Sequence, residues 1–331
     1  MTEYVATTPG LFPLPDWAKS DLSDLKGHQR HDLVSGDEPE PVREVYDEAR
    51  TEVVDLQVDA GLDRVVEGQL RWDDMLAHPL AVHDAVETRG LVRYYDNNNF
   101  YREPVIRGPL DADGDVAAEL AAVGEQPEPI QAVLPGPYSL AELATDAHYG
   151  DDEEFLAAVG RFLAGEVDAF PEVETLFLLE PSLVTNPPGT ARSEAVSEAI
   201  DEVATAADAD VVVHTYWDAF GEETYAHLLD ADVDAVGYDL VADAETSAEV
   251  AAEYGTPGSV AVGVVDGQNT LVESPETIRE RVQWFEARLP EAVDVETVYV
   301  TSNTELLYLP VNRFSEKLAA LGAATKPEVT A

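Results

Sequence analysis

The sequence predicts an α/β fold of the (β/α)8 barrel class, and three observations carry that prediction. Short runs rich in Val, Ile, Leu and Tyr, bounded by turn residues, recur along the chain. Longer Ala/Glu-rich stretches separate them, and the strand runs are apolar on both faces, as strands of a buried parallel sheet must be. Eight or nine such units in 331 residues suit one closed barrel better than an open doubly wound sheet, the alternative arrangement of the same parts.

In chain order the candidate strands are Val5–Thr8, Arg64–Gly68, Val92–Asp96, Ile130–Leu134, Thr175–Glu180, Val211–Tyr216, Ala235–Leu240, Val260–Val265 and Val298–Ser302. After the first, Val42–Ala60 places Val45, Ala49, Leu56 and Ala60 near helical spacing. Residues 105–128, with DADGD and EQPEP, read as an insertion or exposed loop with a helix inside it. Ser193–Ala207 is helical by pattern. Pro275–Arg288 opens with Ser274 as N-cap, Pro275 at the first helical position, and Glu276 and Glu280 in the early turns. No Pro/Ser-rich linker divides the chain, so residues 1–331 are expected to form a single domain.

Composition narrows the function classes. Nineteen Lys+Arg face 67 Asp+Glu, a formal charge of -48. Self-repulsion on that scale is screened at about 1 M salt, where the Debye length is about 3 Å, so the composition points to a halophilic, cytoplasmic protein. An acidic surface disfavours nucleic acid and anionic lipid, and no apolar run approaches the ~20 residues of a membrane span. Cysteine is absent, which removes disulfides, thiolate catalysis and thiolate metal sites together.

In a barrel, chemistry sits at the carboxyl ends of the strands, and nearly every strand here ends in polar residues. Beyond the second strand, Arg71 offers a fork for a substrate carboxylate with Trp72 and Asp74 beside it; the same residues also suit an Arg–Asp pair that ties down the next helix. Asp96, Asn97, Asn98 and Asn99, set between aromatics, offer donors, acceptors and flat walls for a polar ring, or else an Asx-stabilised turn. Glu180 ends a buried run before a proline, where it could bind an ammonium group or anchor a loop. VVVHTYWDAF delivers His214 to a strand end, with Tyr216, Asp239 and Thr304 as its neighbours by strand order. Of these only Asp239 is a usual zinc ligand.

Taken in order, ATTPGLFPLPDW, VDAGLDRVVEGQLRWDDM, YYDNNNFYREP, VLPGPYSL, LEPSLV, VGVVDGQN and SNTELLYLP resemble segments of the cobalamin-independent methionine synthase family, above all of its N-terminal barrel. The resemblance spans Thr7 to about Lys317 and, with the charge, suggests a halophilic archaeal type. It implies a (β/α)8 barrel and a role in methyl transfer to homocysteine. In that family the catalytic barrel holds zinc through a His-any-Cys pair, a Glu and a Cys; these positions fall on His214, Tyr216, Asp239 and Thr304. Both thiolates are replaced, so zinc is not expected and no metal ligand is assigned. The Asp of the family's Asp-Glu-Pro motif is Leu179 here, with Glu180 kept, which weakens amino-acid binding.

The expected function is therefore a methyltransferase component of methionine biosynthesis, without a tightly bound cofactor. The methyl donor is expected to be a methylated folate or pterin. Expected partners are that donor, homocysteine, and a separately encoded zinc-bearing barrel. His214, Asp239 and Glu180 stand as catalytic candidates. Arg71, Trp72, Asp74, Asp96, Asn97, Asn98, Asn99, Tyr216 and Thr304 stand as substrate-binding candidates. Two alternatives remain: a non-catalytic scaffold barrel that stabilises the partner, and a lone methyltransferase or decarboxylase-like barrel that uses His214 and Asp239 as an acid/base pair.

Overall fold

The structure is a computed structural model that describes residues 2–23, 38–72, 74, 76–93, 95, 100–290 and 293–326. Eight parallel strands lie in the order β1 (Glu3–Ala6), β11 (Thr297–Ser302), β10 (Ser259–Val265), β9 (Ala235–Asp239), β8 (Asp210–His214), β7 (Thr175–Leu179), β5 (Ile130–Pro135) and β2 (Val65–Val66). Placing the first strand beside the last is barrel topology, and the sheet curls until its edge strands face each other. Among the described residues no ladder joins β1 to β2. Instead Asp63 N donates to Ala6 O at 2.9 Å, while Gln131 bonds Thr7 Oγ1 and the carbonyl of Thr8 at 2.6 and 2.7 Å.

Helices α1 (Asp16–Asp21) and α2 (Glu40–Ala60) precede β2, and α3 (His78–Ala81) and α4 (Asp115–Ala121) precede β5. Helices α5 (Pro137–Leu143) and α6 (Asp152–Asp168) follow β5; α7 (Ser182–Thr185) and α8 (Thr190–Ala206) follow β7. Each later strand is followed by one helix: α9 (Glu222–Leu228), α10 (Ala244–Tyr254), α11 (Pro275–Glu286) and α12 (Val311–Thr325). The expected helices 42–60, 193–207 and 275–288 correspond to α2, α8 and α11, and the Ser274 hydroxyl caps α11 by accepting from Thr277 N. Helix α2 turns its Ala49, Val53 and Gln57 face inward and stops at Gly61, whose φ of 79° is the left-handed geometry of a helix C-cap. Gly322 of α12 packs against that end so closely that a Cβ would fall 2.1 Å from Ala60 O.

Two sequence expectations need correction. Val92–Asp96 is not a barrel strand: residues to Arg93 belong to β3 (Val86–Arg93), which pairs antiparallel with β4 (Phe100–Ile106), and Asp96 lies outside the described residues. With β6 (Thr145–Asp146) these form a separate three-stranded sheet. The hairpin shares the β-branched and aromatic composition of the core strands but is exposed along most of β3, where both faces meet solvent. The insertion is correspondingly larger than residues 105–128: α3, the hairpin and α4 all lie between β2 and β5, with α4 as the helix expected inside it. Among the described residues no helix is long and apolar enough to cross a membrane.

Candidate functional site at the carboxyl ends of the strands

Side-chain alternation and one long bond identify the barrel interior. Tyr299 of β11 donates to Asp210 of β8 at 2.6 Å although β10 and β9 intervene, so both side chains point inward. Residues two and four positions along each strand share that face, which puts His214 and Thr301 inside as well. Register aligns His214 with Gly237, Gly237 with Ala261, and Ala261 with Tyr299. Two small residues thus separate two rings. Their size is required, since a Cβ on Gly237 would fall 2.6 Å from the imidazole. Phe177 completes the wall, stacked at 6.0 Å on His214 and edge-on to Tyr299.

At this level the interior becomes polar without being internally paired. Both ring nitrogens of His214, Thr215 Oγ1, the Tyr216 hydroxyl, Thr301 Oγ1 and both carboxyl oxygens of Glu305 are buried and have no hydrogen-bonding partner among the described residues. Burial also removes their charge. His214 is pushed down to about 4, so the imidazole is neutral near pH 7 and offers one donor and one acceptor. Burial lifts Glu305 to about 8, keeping it a carboxylic acid, and lifts the Tyr216 phenol well above its ordinary range, with Glu305 adding to the effect. Tyr216 and Trp217 make edge contacts at 5.5 Å, and Tyr95 packs 5.0 Å from Trp217. The result is an uncharged, hydrogen-bonding, aromatic-walled mouth.

Asp239 does not pair with His214, contrary to the expectation of an acid/base couple. Its carboxylate accepts from Trp217 N at 2.8 Å, Val241 N at 3.0 Å, Ala242 N at 2.8 Å and Asn303 Nδ2 at 3.0 Å. Four donors from three segments make it the knot that ties the β8, β9 and β11 exits together. Thr304, next to Asn303 in sequence, is buried, its hydroxyl donating to Glu305 O at 3.3 Å. Glu180 is likewise committed: it accepts from Tyr138 N at 2.9 Å and Ser139 N at 2.7 Å, which anchors α5 to the end of β7. Gly136 leaves the room, because a Cβ there would lie 2.2 Å from the Glu180 side chain. Burial still raises Glu180 to about 7.

Arg71, Trp72 and Asp74 also hold structure. The Arg71 guanidinium meets Glu38 at 2.7 Å, Glu119 at 2.6 Å and Asp115 at 3.3 Å, so its fork is filled by the protein's own carboxylates. Trp72 Nε1 donates to Glu119 and its ring stacks on His78 at 5.1 Å. Asp74 accepts from Leu76 N and Ala77 N, opening α3. Among the described residues His78, Asp115 and Glu119 form a group whose ligand atoms lie within 4.8 Å of one another. Arg71 Nη1, close to both acids, already occupies the cation's place there. Asp96, Asn97, Asn98 and Asn99 lie outside the described residues.

Sequence reasoning brought His214, Tyr216, Asp239 and Thr304 to strand exits, and the structure places them after β8, β9 and β11, with β10 between the last two. It gave Glu305 no role, although Glu305 stands in the polar run that ends β11. Thr301 was detectable only through period-two alternation with Tyr299.

Comparison with known proteins fits this architecture. Residues 80–289 match the family described as cobalamin-independent synthase, N-terminal domain. The methionine synthase of Saccharolobus solfataricus is 22% identical over 333 residues, covering 97% of this chain and 93% of that protein. That of Sulfolobus acidocaldarius is 22% identical over 328 residues, covering 96% and 90%. A B12-independent methionine synthase from Shewanella sp. W3-18-1, solved in complex with selenomethionine, superposes with a TM-score of 0.78 at 17% identity, over 98% of this chain and 96% of that one. A putative vitamin-B12 independent methionine synthase from Listeria monocytogenes gives 0.67 at 16% identity, with 98% of each chain covered. The structural likeness carries the barrel fold, and the family match over more than half of the chain carries the membership: this protein belongs to the cobalamin-independent synthase family, matching the model of its N-terminal domain.

Proposed function

We propose that the chain is a methyltransferase component of methionine biosynthesis that holds a methylated folate or pterin in its uncharged mouth and works with a separately encoded zinc-bearing barrel. The observation that carries the division of labour is the donor set at the strand exits. Zinc requires three or four N, S or O ligands free to converge. Here Tyr216 is a phenol far from ionisation, Thr304 a hydroxyl, and Asp239 a carboxylate spent on four N–H donors. These residues do not fit the ion, so ionisation of the homocysteine thiol falls to the partner. The neutral groups of His214, Tyr216, Thr301 and Glu305 suit an uncharged ring bearing alternating donors and acceptors, with Tyr216 and Trp217 as walls. The relatives named methionine synthase support the reaction class, and the charge of -48 supports a high-salt setting.

A second reading, a barrel that turns over alone, draws on the one-barrel length of those relatives, 93% and 90% of which are covered. One assay separates the two. Methionine formation from homocysteine and methylated folate is measured at about 1 M KCl, where the Debye length is about 3 Å, with this chain, the zinc-bearing barrel, and both. Zinc in the purified chain is measured alongside. The proposal expects faster product formation with both proteins and well under one equivalent of zinc here. Turnover by this chain alone, or a full equivalent of zinc in it, would overturn it.

A further inference from the structure

Glu305 is a carboxyl group that the fold positions without using. Its backbone is held on both sides: Ser302 Oγ donates to Thr304 O at 2.8 Å, and Leu306 N donates to Leu11 O at 3.2 Å. The loop after β10 closes over the same segment. Gly267 N donates to Asn303 Oδ1 at 2.9 Å, and a Cβ on Gly267 would fall 2.5 Å from Glu305 O. The side chain is treated differently. Among the described residues, Glu305 is the only acid with both carboxyl oxygens buried and without a hydrogen-bonding partner. Glu180 and Asp239, also buried at strand exits, are spent on backbone N–H groups.

The titratable groups that face Glu305 offer no cation. Tyr216, from the exit of β8, and Tyr308, past β11, are each raised by burial first and by Glu305 next, so both phenols lie in its field. Asp74, from the loop after β2, acts on Tyr308 as well. His214 makes edge contact with Tyr216 at 5.7 Å and is neutral. A buried carboxyl group in such company keeps its proton, because nothing there would stabilise the anion. Burial lifts it to about 8 against the downward pull of its own backbone N–H and of Gln268. The backbone around the mouth is strained too. The four non-glycine residues with positive φ among the described residues are Leu11 (59°), Gln69 (48°), Tyr95 (44°) and Trp217 (73°), and they lie past β1, β2 and β8 or between β3 and β4. Strain of this kind gathers at active sites and ligand clamps.

A methyl group leaves a tertiary amine readily only if the nitrogen can take back the bonding pair as a neutral amine, and that requires a proton on it first. Resting on the reading given under Proposed function, we infer that Glu305 is the acid that supplies this proton to N5 of the bound methylated pterin. The Glu305 O–H bond breaks and an N5–H bond forms. The homocysteine thiolate then attacks the methyl carbon: a C–S bond forms, the C–N5 bond breaks, and its electron pair stays on N5. The products are methionine, the demethylated pterin with N5–H, and a Glu305 carboxylate that one solvent proton restores. The mouth suits the charged stage, since aromatic Tyr216 and Trp217 attract a cationic nitrogen and the new carboxylate pairs with it. The other unpaired groups serve less well. The Tyr216 phenol holds its proton too tightly, and the N–H left on a neutral His214 is a weaker acid still, whereas Glu305 can both keep and yield a proton near neutral pH.

The test uses the full chain with the zinc-bearing barrel of the same organism at about 1 M KCl, with 5-methyltetrahydrofolate as donor. Glu305→Gln should lower kcat roughly 100-fold or more, the span of general acid catalysis, while titration calorimetry shows unchanged binding of the donor to the chain. Glu305→Asp should recover part of the rate. The wild-type rate should fall above about pH 8, where the acid has lost its proton, and Glu305→Gln should lack that fall. A tetrahydropterin already quaternised at N5 by two methyl groups needs no proton, so wild type and Glu305→Gln should demethylate it at equal rates. A Glu305→Gln chain that is as fast as wild type with the folate, that is slow with both donors, or that no longer binds the folate would overturn the assignment and leave the methyltransferase reading standing. If the wild-type pair neither binds nor demethylates the folate, that reading fails and the proton donor falls with it.

Discussion

Replacing Glu305 by glutamine isolates the electrostatics of the mouth. Both carboxyl oxygens are buried without a partner, and burial lifts the group from 4.5 to about 8. The folded state therefore binds this proton more tightly than the unfolded chain does. The sign follows from linkage: stability is lost as pH rises wherever the native state holds more protons. The loss begins near pH 4.5, ends near pH 8 and is flat outside that window. At about 1.36 kcal/mol per pH unit, the gap comes to about 5 kcal/mol when fully developed and about 3.4 kcal/mol at pH 7. Glutamine keeps the shape and cannot ionise. Urea unfolding at about 1 M KCl from pH 4.5 to 9 should show Glu305→Gln close to wild type at the acid end and progressively more stable above it. The difference should reach several kcal/mol by pH 8.5 and then level off. Parallel curves across the whole range would refute the claim that Glu305 is a buried neutral acid.

Two further substitutions probe the surrounding scaffold. Gly136→Ala drives a Cβ to 2.2 Å from Glu180 and displaces a carboxylate that holds two backbone N–H groups. At about 1.5–3 kcal/mol for each bond to a charged group, the loss should be about 3–6 kcal/mol by urea midpoint; less than about 1 kcal/mol would mean that the Glu180 anchor is dispensable. Arg71→Gln leaves Glu38, Asp115 and Glu119 without their shared cation, and breaking such a buried cluster costs about 3–5 kcal/mol. Adding Glu119→Gln should recover part of that cost. A double-mutant cycle with no coupling would show that Arg71 and Glu119 do not stabilise each other.

The barrel was legible in the sequence because buried parallel strands advertise themselves. Val260–Val265 and Val211–His214 are apolar on both faces, and little else in a folded chain has that composition. The same rule misassigned Val92–Asp96, since β-branched and aromatic residues favour strands whether or not the strand is covered. The arginines of the hairpin, at 89, 93 and 102, were the available sign that this ribbon belongs to the surface. The candidate site was legible as a set of positions but not as a set of bonds. Asp239 lies next to His214 in strand order, yet its partners come from Trp217, the 241–242 turn and Asn303, a convergence that the curl of strands β8 to β11 creates. Arg71 fails for the same reason. The acids that fill its fork lie 33, 44 and 48 residues away in sequence.

The strand exits show how a position can keep its residue type and change its work. A carboxylate that ligates a metal must leave lone pairs free along the metal direction, whereas one that accepts from four N–H groups has spent them on shaping a turn. Asp239 is of the second kind, and the consequence spreads to its neighbours. With Asp239 turned toward the backbone, His214 has no acid to hold a proton on it, so burial outweighs the opposing backbone contact at Thr215 and the ring stays neutral. At Glu305 burial outweighs the downward pull of its own backbone N–H and of Gln268, and keeps it protonated too. The lack of charge at His214 and Glu305 thus follows from burial at each, beside an Asp239 committed to the backbone. Reversing it at Asp239 would have to free a carboxylate and, in the same step, leave four N–H donors unpaired in the knot that joins β8, β9 and β11.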